Sequence, residues 1–314
     1  MKKKLVAGAV TLLSVVTLAA CANGTNKDIV TMKGDTITVS DFYNEIKTNQ
    51  GAQQVLFQMT INKVFEKEYG SKVSDKEVDK ELAKQKKQLG KQFDAYLAQQ
   101  GLTEETAKKQ IRSNMLLEYA VNQAAKKDIK ESDYKAAFES YTPEVTAQII
   151  KLDSEDKAKE VLEAAKAEGA DFAQIAKDNS TDTATKDKGG EVKFDSGTAD
   201  IPSQVKEAAF KLDENGISDV ITVSAGQNYS ASYYIVKLNK KTEKGSDWKK
   251  YEKRLKEIIV DGRKQDTNYI RSIIAKAMTN ANIKVKDDAF KSTFNQYLQN
   301  IGVQTSDSGS SSKK

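Results

Sequence analysis

The sequence predicts an α+β protein: a mainly helical domain made from the N- and C-terminal arms, with a smaller α+β domain inserted between them. Three observations carry this. The longest strand-like runs, punctuated by glycine turns, cluster between Val145 and Leu238. On either side the chain is rich in lysine and glutamate, with apolar residues at helical spacing. Only two prolines, Pro143 and Pro202, interrupt the 314 residues. That permits long helices, since an internal proline costs about 3 kcal/mol.

Composition removes several function classes. Charged residues are 30% and hydrophobic ones 38%, a soluble, surface-rich balance with modest cores, and the length allows two domains. Three units of the net charge of +5 lie on Lys2, Lys3 and Lys4, so the rest is nearly balanced. A phosphate-binding surface needs concentrated positive charge, and no such stripe is present, which argues against nucleic acid as a partner. Cys21 is the single cysteine, and there is no histidine. The first fact excludes an intramolecular disulfide. The second excludes Ser-His-Asp and Cys-His catalysis and any histidine-ligated metal site.

Residues 1–20 read as a leader. Lys2-Lys3-Lys4 precedes an apolar stretch from Leu5 to Ala20, short for a membrane span of about 20 residues. It ends Leu18-Ala19-Ala20-Cys21, which resembles the lipobox of bacterial lipoproteins. That resemblance implies cleavage before Cys21 and lipidation of its thiol, so that acyl chains hold the protein on the membrane.

Residues 21–142 form the N-terminal helical arm. Ile29–Met32 and Thr36–Val39 flank a Lys33-Gly34-Asp35 turn and read as a β-hairpin. Ser40 is placed to cap the next helix. From Ala52 to Tyr69 the residues Val55, Leu56, Met59, Val64 and Phe65 recur near helical spacing, and Gly70 is a C-cap. Ser74 and Glu77 make a capping-box pattern. Further helices are expected from about Thr103 to Lys127 and after Ser132, which carries the cap. Two readings of the arm's methionine and aromatic residues stay open: plain helix-to-helix core, or a groove for unfolded client segments, for which methionine is adaptable.

Residues 143–240 form the inserted domain. Val145–Leu152 suits a buried strand, Ser154 caps a helix, and Asp171-Phe172 begins another. Gly189-Gly190 marks a turn with positive φ. A short helix follows Ile201-Pro202-Ser203, and Val220–Val223 and Tyr233–Leu238 are strands. The expected arrangement is two outer strands around helices, then a terminal pair. Residues 241–303 form the C-terminal arm. A helix starts after Ser246-Asp247 and breaks near Gly262, Ile283-Lys284-Val285 is strand-like, and a last helix carries Phe290, Phe294 and Tyr297. Residues 304–314 are a serine- and lysine-rich tail with no apolar anchor, expected to be disordered.

Val145–Leu152, Asn179-Ser180-Thr181-Asp182, Gly189-Gly190-Glu191, Ala208–Leu212 and Tyr233–Leu238, in that order and spacing, resemble a parvulin-type peptidyl-prolyl isomerase domain. By that resemblance the family's two active-site histidines fall on Gln148 and Tyr234, and its Cys-or-Asp position falls on Asp182. The proline pocket falls near Ile201 and Val205, with Phe194 and Phe210 beside it. Rotation about the bond before proline meets a barrier of about 18–20 kcal/mol. An isomerase lowers it by favouring the twisted amide, without a covalent step. With both histidines replaced, weak or absent catalysis is expected, and Asp182 taken alone reads as a turn cap.

Leader, arms and inserted domain together resemble the PrsA family of extracellular foldase lipoproteins of Gram-positive bacteria. The resemblance implies a protein lipid-anchored at Cys21 on the outer face of the cell membrane, where it helps secreted polypeptides fold after translocation. Its partners would be unfolded or nascent secreted proteins and, through the arms, a second copy in a homodimer. No ATP, metal or other cofactor is called for. An active isomerase built on Asp182, Gln148 and Tyr234 is the alternative, and a surface adhesion or solute-binding lipoprotein a further one.

Overall fold

A computed structural model describes residues 27–225 and 230–298. The leader, Cys21 and the 304–314 tail lie outside the described residues. The chain divides into two compact units: the described parts of Met1–Gly70 with Ile274–Lys314, and Ser71–Ile273.

In the first unit, β1 (Asp28–Met32) and β2 (Asp35–Thr38) pair antiparallel. Gly34, at φ +87°, makes their turn in a backbone region that glycine enters without strain. α1 (Val39–Ile46) begins earlier than expected because Thr38, not Ser40, caps it. Thr38 Oγ1 accepts from the Asp41 N–H, and the Asp41 carboxylate accepts from the Thr38 N–H. This reciprocal box leaves Ser40 inside the first turn. α2 (Gln50–Tyr69) is capped by Asn49 and stops at Gly70. Its apolar residues, expected on one stripe, occupy two faces. Phe57, Ile61, Val64 and Phe65 are buried, whereas Val55 is 60% and Met59 51% exposed.

Residues 274–298 complete this unit with the end of α11 (Thr267–Asn280), a connecting stretch, and α12 (Lys291–Leu298). Phe57 meets Phe294 edge-on at 5.4 Å and stacks on Tyr297 at 4.4 Å. The Gln53 amide donates to Ala289 O and accepts from the Thr293 hydroxyl. Ile283-Lys284-Val285, expected as a strand, pairs with no strand among the described residues. Its β-branched residues favour a sheet, but no neighbouring strand among the described residues reaches it.

The second unit opens with α3 (Asp75–Leu89), α4 (Phe93–Gln99), α5 (Glu104–Lys127) and α6 (Glu131–Ser140). The Ser74–Glu77 capping box forms as the sequence indicates. Ser132 does not cap α6: the Lys130 N–H donates to Asp133 Oδ2 at 2.9 Å and starts the helix two residues sooner. α10 (Glu252–Gln265) packs on α5 and α6. It runs through Gly262, where a break was expected. One glycine costs only about 1 kcal/mol in a helix, and buried Leu255 and Val260 hold the helix in place. Asp266 ends it and starts α11, its carboxylate accepting from the Asn268 and Tyr269 N–H groups. Arg263 ties α10 to its neighbours by donating to Ala125 O at 2.9 Å and Asp133 Oδ2 at 2.7 Å.

Between α6 and α10 lies a four-stranded antiparallel sheet of β3 (Val145–Leu152), β4 (Glu191–Phe194), β5 (Ile221–Ala225) and β6 (Ser230–Lys241), in the order β4-β3-β6-β5. β3, expected at the outside, is interior, because β4 adds a strand on its far edge. α7 (Glu155–Lys166) and α8 (Phe172–Asn179) cover one face with Ala158, Val161, Ala165, Phe172 and Ala176 against Ile150, Leu152 and Ile235. α9 (Ser203–Lys211) covers the other, with Val205 and Ala209 against Val145, Ala147, Ile149, Val236 and Leu238. The central strands are therefore apolar on both sides, as strands buried on two faces must be.

Candidate functional site

The sheet separates the positions expected to act together. Side chains alternate along a strand. Ile149 belongs to the α9 face and Ile150 to the α7/α8 face, so Gln148 projects with Ile150. There its amide donates to Gly189 O at 3.0 Å, and a Cβ on Gly189 would lie 2.7 Å from that of Ala173 on α8. Tyr234 packs on the opposite face, against the α9 cluster. The pair on the histidine positions thus lies on two sides of the sheet, set there by a strand register that the sequence leaves open.

Asp182 is occupied by its own loop. Its Oδ2 accepts from the Thr185 hydroxyl at 2.6 Å, and its Oδ1 from the Ala184 N–H at 3.1 Å. Buried Ser180 accepts from the N–H groups of Lys151 and Asp182 and stitches the loop to β3. The turn-cap reading of Asp182 describes this geometry fully. Phe194 and Val205, expected in a pocket wall, are 1% and 0% exposed. They are core, because β4 turns Phe194 inward against Phe210, at a ring separation of 5.8 Å. Ile201, Phe210 and Tyr234 remain half-buried at the edge of that core.

A separate opening lies in the first unit. An apolar groove of about 780 Å³ is lined by Tyr43 and Ile46 of α1, by Ala52, Val55, Leu56 and Met59 of α2, and by Ile283, Val285, Phe290 and Phe294 near the C-terminus. Its shape follows from the two-faced pattern of α2. One stripe faces the core, and the second, at spacings of three and four, has no helix over it among the described residues of this unit. Its polar edge is fixed. The Tyr43 hydroxyl donates to Asp287 Oδ2 at 2.6 Å, while Asp287 Oδ1 accepts from the Ala289 N–H. The hydrogen bond to Asp287, with burial and its charge, raises the Tyr43 pKa, and the same bond lowers that of Asp287. Phe42, Ile29, Val30, Met32 and Ile37 are also 40% or more exposed. Such exposed apolar surface marks an interaction site.

The methionine and aromatic residues of this arm had pointed to either core or groove. Met59 and Tyr43 line the groove, and Phe57 and Phe65 form core. Ile283 and Val285 were not foreseen there. The available signal was the repeat Ala52, Val55, Leu56, Met59, distinct from Phe57, Ile61, Val64, Phe65. No helix among the described residues is long and apolar enough to cross a membrane.

Comparison with known proteins gives the family. The rotamase family, a PPIC-type PPIASE domain, matches residues 141–240, the sheet and its three covering helices. The foldase protein PrsA of Streptococcus sanguinis is 62% identical over 302 residues, 96% of this chain and 90% of that protein. A crystal structure of PrsA from Streptococcus pneumoniae superimposes with a TM-score of 0.78 at 55% identity, covering 86% of this chain and 99% of that one. The Lactococcus lactis foldase protein (PrsA) matches at a TM-score of 0.65 and 39% identity, over 87% and 99%. With identity this high along nearly its whole length, the chain belongs to the PrsA family of foldase proteins and carries that family's parvulin domain between its helical arms.

Proposed function

We propose that this chain is a membrane-anchored foldase that holds apolar segments of unfolded exported proteins in the groove of its first unit. The groove of about 780 Å³, with Val55 and Met59 exposed within it, carries the reading. A stable monomeric protein has little reason to leave such residues uncovered, and methionine adapts to many shapes of partner. In this reading Cys21 bears the lipid, the protein sits on the outer face of the cell membrane, and no cofactor takes part. The parvulin domain contributes little catalysis. Gln148 and Tyr234 lie on different faces of the sheet, and the Asp182 carboxylate is spent on its own turn. Half-buried Ile201, Phe210 and Tyr234 give it weak peptide binding instead.

The test is aggregation of a chemically denatured enzyme on dilution, followed by light scattering. The wild-type chain suppresses scattering, and the Val55→Asp/Met59→Asp variant does not. Both positions are exposed, so stability changes by less than about 0.5 kcal/mol per site. Equal suppression by wild type and variant overturns the reading.

A further inference from the structure

One side of the groove is a piece of chain with the chemistry of a strand and no strand partner among the described residues. Ile283, Lys284, Val285 and Lys286 all line the groove. Ile283 and Val285 are half-buried while Lys284 and Lys286 are exposed, the two-residue alternation of an extended chain. Among the described residues, no backbone N–H or C=O of Lys284, Val285 or Lys286 has a hydrogen-bond partner. β-branched residues, alternation and an unpaired backbone beside an apolar trough are the elements of recognition by strand addition. Neither Lys284 nor Lys286 has a carboxylate within ion-pair distance among the described residues. The nearby acids are engaged elsewhere: Asp287 with Tyr43 and Ala289, Asp288 with Lys291.

We propose that Ile283–Lys286, in which only the Ile283 N–H is engaged (by Met278 O), is an open β edge that takes an extended client segment of alternating apolar and acidic residues as an added strand. The incoming backbone pairs with this edge. Its apolar side chains enter the groove beside Ile283 and Val285, toward Leu56, Met59 and Phe290. Its acidic side chains stand opposite Lys284 and Lys286 on the outer side, where cross-strand neighbours of opposite charge attract. This rests on the groove being the client site and adds which segments it selects and how it holds them.

The experiment uses the full chain and a fluorescein-labelled peptide, acetyl-Thr-Val-Glu-Val-Glu-Val-Thr-amide, read by anisotropy. Successive amides of a strand point to opposite edges, so two N-methylated versions are made, one for each edge. Methylation of one edge should weaken binding at least about tenfold and methylation of the other leave it within about threefold, because an added strand pairs along one side. Replacing Glu by Lys in the peptide should also weaken binding, and Lys284→Glu/Lys286→Glu should reverse that preference. Equal binding of both methylated peptides overturns strand addition, and indifference to the charge changes overturns the acidic preference. No binding of the parent peptide, while aggregation is still suppressed, overturns this proposal and leaves the holding function standing. Loss of both removes the function on which it rests.

Discussion

Arg254 of α10 holds Asp195, at the end of β4, by two parallel hydrogen bonds: Nε to Oδ2 at 2.6 Å and Nη2 to Oδ1 at 2.8 Å. The Asp195 side chain is 8% exposed and that of Arg254 34%. The Tyr141 hydroxyl and the Gly197 N–H donate to the same carboxylate. Helix α10 is thereby fastened to the loop that leads from the sheet to α9. Burial alone would raise the Asp195 pKa, but the hydrogen bonds and charge of Arg254, aided by Thr198 and Tyr141, outweigh it and bring it below its ordinary value.

Removing the guanidinium should expose that buried carboxylate as a liability. Arg254→Met is expected to lower stability by about 2 kcal/mol, less than for a fully buried pair because Arg254 is one-third exposed. Asp195→Asn in the same background should restore part of it. A carboxylate whose pKa falls on folding stabilises above its unfolded pKa and loses that contribution as pH drops through the folded value. Without Arg254, burial raises the pKa of the same carboxylate. The wild-type advantage over Arg254→Met should therefore be complete at neutral pH, begin to shrink above the ordinary aspartate value of 3.8 as the variant's carboxylate takes up its proton, and go on shrinking below it. Urea unfolding at a series of pH values measures both.

Two glycines with nearly the same φ should respond differently to alanine. Gly169, at φ +75°, has nothing within 4 Å of an added Cβ, so Gly169→Ala meets only the left-handed backbone penalty of about 1–2 kcal/mol. Gly190, at φ +78°, would place its Cβ 2.5 Å from Ile149 O, where β4 approaches β3. Gly190→Ala should cost clearly more and reduce soluble yield. Thermal unfolding of the two variants decides.

Asp182→Ala is expected to act as the loss of a turn cap. The expected outcome is a loss of about 1 kcal/mol of stability, as for a missing cap. Prolyl cis/trans exchange on a peptide panel, followed by NMR with the full chain, should be slow and the same in both proteins. Fast exchange in wild type that disappears in Asp182→Ala would identify an atypical catalyst.

Cys21→Ala removes the acceptor of the proposed lipid. Expressed in a Gram-positive host, this variant should appear in the culture medium while wild type stays with the membrane fraction. Equal membrane retention would refute the anchor.

Local chemistry was legible where it was self-contained. Ser74 with Glu77, Ser154, and Gly34 with its flanking strands each declare their element within a few residues. Caps were misjudged where two polar residues competed: Thr38 and Lys130 start their helices because Asp41 and Asp133 stand three residues later, ahead of Ser40 and Ser132. β4 was missed because four residues, two of them charged, make a weak strand signal without β3 beside them. The faces of Gln148 and Tyr234 depend on the register between β3 and β6, which no local pattern encodes. Nor could the groove be read directly, since Val55 and Val285 meet only in the folded unit.

That last separation bears on timing. The groove takes one wall from α1 and α2 and the other from residues after 280, at opposite ends of the polypeptide. A chain emerging N-terminus first presents Val55 and Met59 without the facing wall of Ile283 and Val285 until residues after 280 have been made. Contacts so distant in sequence form late. A chain assembled in this order completes the proposed client groove only once Ile283 and Val285 are added, so a copy truncated before Ile283 should keep the parvulin domain and lack one wall of the groove.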